Sequence, residues 1–188
     1  FSEYMHPLGD DHLLTIGRDG DPVTGWTTNV ALQIFDVGDP SDPVLAHKHV
    51  FEAAGYSAAE SNHKAFSFFA EEGLLALPFY GETWDELGYY RTTSSLELFD
   101  VSVDEGFVYL GAIDGNVLLS DAERGSAYYC DTYAASSIDR GLTIGEHLYA
   151  VGQRGIIASA LDAPAAPVAE RPSAVPEPDK ATATVVAM

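Results

Sequence analysis

One six-residue pattern occurs twice, as LQIFDV at residues 32–37 and LELFDV at residues 96–101. Within each copy the residues alternate. Leu32 and Ile34 (or Leu96 and Leu98) point one way, and Gln33 and Phe35 (or Glu97 and Phe99) point the other, which is the period-two pattern of a sheet strand. The same order of short strand, turn and strand surrounds both copies, about 60 residues apart. The chain therefore reads as a succession of four-stranded antiparallel sheets, an all-β class.

The first unit is an approach strand at 3–8, a turn at Gly9-Asp10-Asp11, a second strand HLLTIG at 12–17, and a polar loop at 18–28. The third strand follows at 29–37, then the turn GDPSDP and an outer strand VLAHKHVF at 44–51. The turn has a mechanism: proline fixes φ and removes a ladder donor, and aspartate caps local backbone amides. The second unit predicts an approach strand at 62–69, a strand at 74–79, a long loop at 80–93, LELFDV, and a closing strand at 107–113. After a loop at 114–126, the third unit predicts strands at 137–144, 147–151 and 156–161, with no fourth. The units occupy 1–55, 56–115 and 127–161. Residues 162–188 are dominated by Ala, Pro and Val with no aromatic residue, and are expected to form a disordered, flexible Pro/Ala-rich tail.

A repeat of ~60 residues holding four strands suggests a propeller, whose blades are four-stranded sheets about a channel. Burial is the reason: each unit has two apolar faces, and only flanking blades cover both. Propellers close with ~4–8 blades, so three form a partial ring, completed by upstream blades of the same protein or by self-association. The motifs HLLTIGRD, ALQIFDVGDPSDP, HKAFSFFAEEGLLALP and IDRGLTIGEHLYAV resemble the C-terminal blades of a secreted β-propeller family of bacteria and archaea, a family of largely unassigned function. FDVGDPSDP also resembles LVIVD-type repeat turns, and the second unit departs from it with LFDVSVDEG. The resemblance spans roughly residues 1–161. It implies an exported protein, secreted, periplasmic or at the cell surface, with further blades preceding Phe1, and it carries over no catalytic residue.

Charge narrows the partners. Nine Lys and Arg against 29 Asp and Glu give a net charge of −20, which repels phosphate backbones and anionic lipid. Nucleic acid is excluded on that ground. No apolar run reaches the ~18 residues that span a bilayer, so membrane insertion is not expected. Cys130 is the sole cysteine and reads as a small hydrophobe in its strand, or as a partner for a cysteine upstream.

Three features could carry function. Trp26 and Trp84 occupy corresponding loops between second and third strands, with Tyr89 and Tyr90 beside the latter. Exposed, they would form a stacking surface for a protein or carbohydrate partner. His6 and His63 open approach strands and Arg140 holds a comparable place in the third unit, so these three would approach the channel mouth. The acidic turns at Asp10-Asp11, Asp19/Asp21, Asp36/Asp39/Asp42 and Asp100/Asp104/Glu105 offer oxygen ligands to calcium, though with no EF-hand spacing, and no cofactor is predicted. His47 and His49 share a strand face, read as solvated. There is no G-x-S-x-G elbow. The chain is accordingly read as a non-catalytic binding or scaffolding module of an exported propeller. The alternative is a propeller hydrolase or oxidoreductase with a channel-mouth site.

Overall fold

The alternation of the repeated motif becomes burial on both sides of a sheet. The computed structural model describes residues 1–84, 90–120 and 137–172. Its first antiparallel sheet runs β1 (Ser2–Leu8), β2 (His12–Gly20), β3 (Thr27–Asp36) and β4 (Val44–Val50) in chain order. The second contains β5 (Ala54–Tyr56), β6 (Ser67–Phe69), β7 (Leu74–Trp84), β8 (Tyr90–Ser102) and β9 (Gly106–Asp114). The third runs β10 (Ile138–Ile144), β11 (His147–Gly152), β12 (Gly155–Ala160) and β13 (Pro167–Pro172). No α-helix occurs among the described residues.

The middle blade is covered on both faces. Leu75, Leu77, Phe79, Phe99 and Val101 join Leu14, Ile16, Leu32 and Ile34 of the first blade in one core. Leu74, Ala76, Leu96 and Leu98 join Leu148, Ala150 and Ile157 of the third blade in another. Equivalent residues of the motif thus face the following blade, Leu32 and Ile34 toward the second and Leu96 and Leu98 toward the third. The repeat extends to the irregularities. The ladder skips Ala46 beside Ile34/Phe35 and Leu110 beside Leu98/Phe99. It likewise skips Glu3 in β1 and Asp139 in β10. Bulges at matched places re-aim matched side chains.

Three expectations are corrected. The stretch 80–93 is not a long loop: β7 and β8 continue as a paired ladder as far as Trp84 and Tyr90. Its Thr and Tyr residues suit a strand better than a loop. The third blade has its fourth strand, β13, paired with β12 from Gly155↔Pro172 to Ser159↔Pro167. Its prolines are tolerated because this is an edge. The approach strand expected at 62–69 is only Ser67–Phe69, and the inner position is shared with β5.

Between those two pieces, residues 57–66 leave the sheet in two 3₁₀ turns, at Ala58–Glu60 and His63–Ala65. The break lies opposite Pro78, which has no N–H to offer an inner strand. Its carbonyl instead accepts the Ser57 hydroxyl at 2.6 Å. Ser57 also caps the first turn, and Glu60 returns a carboxylate oxygen to the Ser57 amide at 2.8 Å, a complete capping box. Glu60 faces Arg18 as well, at 2.5 and 3.0 Å, and Arg18 donates to the Gly55 carbonyl at 2.8 Å. One guanidinium therefore ties β2 of the first blade to the excursion of the second.

Candidate functional site

The connection from β4 to β5 crosses between blades at the end of the sheets where the β2–β3 and β7–β8 hairpins turn. Phe51 donates its amide to the Val30 carbonyl at 2.9 Å. The Asn29 amide donates to the Phe51 and Glu52 carbonyls at 2.8 and 3.2 Å. These bonds fix residues 51–53 against the first blade, and a cavity of about 640 Å³ lies between them and the second blade. That is a ligand-sized space, since small-molecule sites usually measure ~300–1,000 Å³.

His49, Val50, Phe51, Glu52 and Ala53 form one wall, and Phe79, Thr93, Glu97, Phe99 and Tyr109 of the second blade form the other. Phe51 and Phe79 stack at 4.7 Å. Phe99 is fully buried and meets His49 at 4.9 Å and Phe51 at 5.8 Å in T-shaped contacts. The bulge beside Phe99 brings Tyr109 directly opposite it, with ring centroids 5.3 Å apart. Glu97, set among these rings by strand alternation, is held at both oxygens: Ser95 donates at 2.5 Å and Tyr109 at 2.8 Å. Burial raises the Tyr109 pKa, and the hydrogen bond and charge of Glu97 raise it further, so the phenol keeps its proton. Burial lowers the His49 pKa against a smaller opposing pull from Glu52, which favours the neutral imidazole.

A family model described as Beta propeller domain matches residues 1–163. The chain belongs to the beta propeller domain family. No curated protein and no solved structure matches it. The outer strand of the third blade, ending at Pro172, reaches past the matched span.

The domain distributes the sequence-predicted residues over separate places. Trp26 is 76% exposed at the tip of the β2–β3 hairpin. Trp84 and Tyr90 pair at the end of the β7–β8 ladder, but their side chains, and all of Tyr89, lie outside the described residues, as does Cys130. His6 stands in β1 and Arg140 in β10, the first strands of their blades, whereas His63 opens no strand and stands in the second 3₁₀ turn, off the sheet. His63 and Arg140 are exposed, while the His6 ring packs on Phe66 and Phe68 at 5.6 and 5.7 Å.

The turn aspartates serve the backbone: Asp36 accepts from Gly38, Asp39 from Ser41, and Asp21 from Val23 and Thr24. Asp19 pairs with Lys48. Among the described residues no three His, Cys, Asp or Glu side chains converge as a metal site. His47 and His49 face the second blade rather than solvent, and the His47 Nε2 donates to the Val103 carbonyl at 2.8 Å. The cavity itself was missed from the sequence. Its one signal was Glu97, an acid on a strand face that the neighbouring blade must cover. A smaller cavity of about 280 Å³ lies between the second and third blades, lined in part by Pro78, Ser94, Ile138 and Asp139.

Proposed function

We propose that this beta propeller domain is a non-catalytic binding module of an exported protein, with its ligand held in the cavity between the first and second blades. The observation that carries the reading is the cavity's construction: aromatic walls, a crossover pinned by Asn29, and a carboxylate fixed by two hydroxyl donors. Such a few polar groups in a mostly apolar pocket fix the orientation of a ligand. The export reading rests on the resemblance of the strand-and-turn motifs to exported propellers.

The tip of the β2–β3 hairpin, carrying the exposed Trp26, is the proposed contact surface for a protein or carbohydrate partner, to which the sequence adds Trp84, Tyr89 and Tyr90. The rest of the ring is supplied by further blades or by a second copy. The packing of His6 on Phe66 and Phe68 supports binding over channel-mouth catalysis, because that ring is engaged in blade-to-blade contact.

The test is a small-molecule screen by ligand-observed NMR against the wild type and Ala53→Trp, which places an indole in the cavity from an exposed wall position. Ligands that bind the wild type and are displaced by the indole support the reading. A screen whose hits bind both proteins equally, or that gives no hits, overturns it. Partner affinities that survive Trp26→Ala plus Trp84→Ala would remove that contact surface.

A further inference from the structure

The lining of the cavity is chemically one-sided. Its two charged groups, Glu52 and Glu97, are both carboxylates, and no Lys or Arg is among the lining residues. An ionised carboxylate only accepts hydrogen bonds. The hydroxyl proton of Tyr109 is already given to Glu97, so that phenol has none to offer a ligand. Each Glu97 oxygen receives one hydroxyl, whereas a carboxylate has about four lone-pair positions, which leaves acceptor capacity directed at the cavity. Phe51, Phe79, Phe99 and Tyr109 surround that acceptor with ring surface, which attracts a cation through its quadrupole. A ligand bearing an anion would meet two like charges and no Lys or Arg to offset them. A neutral ligand could donate to the acceptor but would leave its charge unpaired in a half-desolvated place.

From this we infer that the ligand is an organic ammonium, a protonated amine on an apolar or aromatic body, with its nitrogen at Glu97 and its body against the Phe51, Phe79 and Phe99 rings. The inference rests on the cavity being a binding site, and it adds the class of what is bound. The net charge of −20 acts in the same direction, since it raises the local concentration of cations around the domain. Ser95 is a positioning residue here, because it fixes the carboxylate from outside the lining, whereas Tyr109 both fixes the carboxylate and lends the cavity its ring surface.

Isothermal titration of the 188-residue chain with three probes of one shape tests it: 2-phenylethylammonium, 2-phenylethanol and phenylacetate. The ammonium is expected to bind at least tenfold tighter than the alcohol, and the carboxylate not at all. Glu97→Gln, which keeps the size, one hydroxyl donor on its oxygen, and the other hydroxyl contact with its direction reversed so that the amide donates, is expected to remove at least tenfold of ammonium affinity and to leave alcohol binding within twofold. Equal binding of ammonium and alcohol, or ammonium binding indifferent to Glu97→Gln, overturns the ammonium inference while the cavity reading stands if Ala53→Trp abolishes both. Binding indifferent to Ala53→Trp defeats both readings. Absence of binding by all three probes overturns the ammonium inference, and the wider screen with Ala53→Trp then decides the cavity separately.

Discussion

Replacing Ser57 by alanine removes one oxygen that serves two buried partners. The side chain is 2% exposed, donates to the Pro78 carbonyl at 2.6 Å and accepts from the Ala59 amide at 3.2 Å. A buried carbonyl deprived of its donor costs about 1–3 kcal/mol. Loss of the cap costs about 1 kcal/mol more, reduced here because Glu60 still holds the Ser57 amide. The expected loss is therefore about 1–4 kcal/mol, or a fall in Tm of roughly 2–16 °C at ~2–4 °C per kcal/mol for a chain of this size.

Urea unfolding followed by tryptophan fluorescence and circular dichroism gives the comparison, with Ser41→Ala as the control. That residue has the same oxygen but stands in an exposed turn on Asp39, so its loss should stay under about 0.5 kcal/mol. An unchanged m-value with a lower midpoint is the expected signature. A Ser57→Ala protein within about 0.5 kcal/mol of the wild type would refute the account of the broken inner strand, because the Pro78 carbonyl would then have another partner.

Glu60→Gln is expected to cost about 1–3 kcal/mol by leaving the Arg18 guanidinium, three-quarters buried, without its carboxylate, measured by the same unfolding curves. His49 has a depressed folded pKa, so between that value and the unfolded value near 6.5 the unfolded chain binds the extra proton. Its contribution is complete above about pH 6.5 and is lost as pH falls below it; His49→Asn should flatten the difference in unfolding midpoint between pH 7.5 and 5.5, with Glu52, Glu97 and Tyr109 facing the same cavity unchanged. Gly106 has φ of 77° and would place a methyl 2.6 Å from the His47 ring, so Gly106→Ala should cost about 1–3 kcal/mol and shift the His47 ring resonances in NMR spectra. Sedimentation velocity of the 188-residue chain should show concentration-dependent association, weakened by Ile144→Lys on the 66%-exposed outer face of the third blade; a monomer at every concentration would contradict the self-association reading.

What was legible in the sequence was whatever repeats locally. The alternation of LQIFDV and LELFDV gave each strand and its two faces without reference to any partner, and the glycine-aspartate turns marked where strands end. The errors came where local composition and tertiary context disagree. Gly81 and the polar residues of 80–93 suggested a loop, yet cross-strand pairing carries the ladder on to Trp84. Proline at 167 and 172 suggested a tail, yet an edge strand accepts it at its ends. The capping box Ser57-Ala-Ala-Glu60 was readable as a turn signal and explains why the inner strand is interrupted. The cavity could not be read, because its walls, residues 49–53 on one side and Phe79, Thr93, Glu97, Phe99 and Tyr109 on the other, meet only through the stacking of two blades and a one-residue bulge at Leu110.

That bulge bears on how the site arose. Gln33 and Phe35 stand in the first blade where Glu97 and Phe99 stand in the second, and Ala46 is skipped there as Leu110 is here. The geometry that forms one wall of the cavity is thus a property of the repeat, present on the open face of the first blade as well. What the second blade adds is charge and ring: glutamate in place of Gln33, and Tyr109 across from Phe99 where Leu45 lies across from Phe35. A neighbour packed on the open face of the first blade, whether another blade or another copy, would enclose a matching recess lined by an amide and an aliphatic side chain. The repeat builds the space, and the two substitutions at 97 and 109 select what it can hold. Exchanging them for their first-blade counterparts, Glu97→Gln with Tyr109→Leu, should therefore leave the fold intact and discharge the cavity of its preference for a cation.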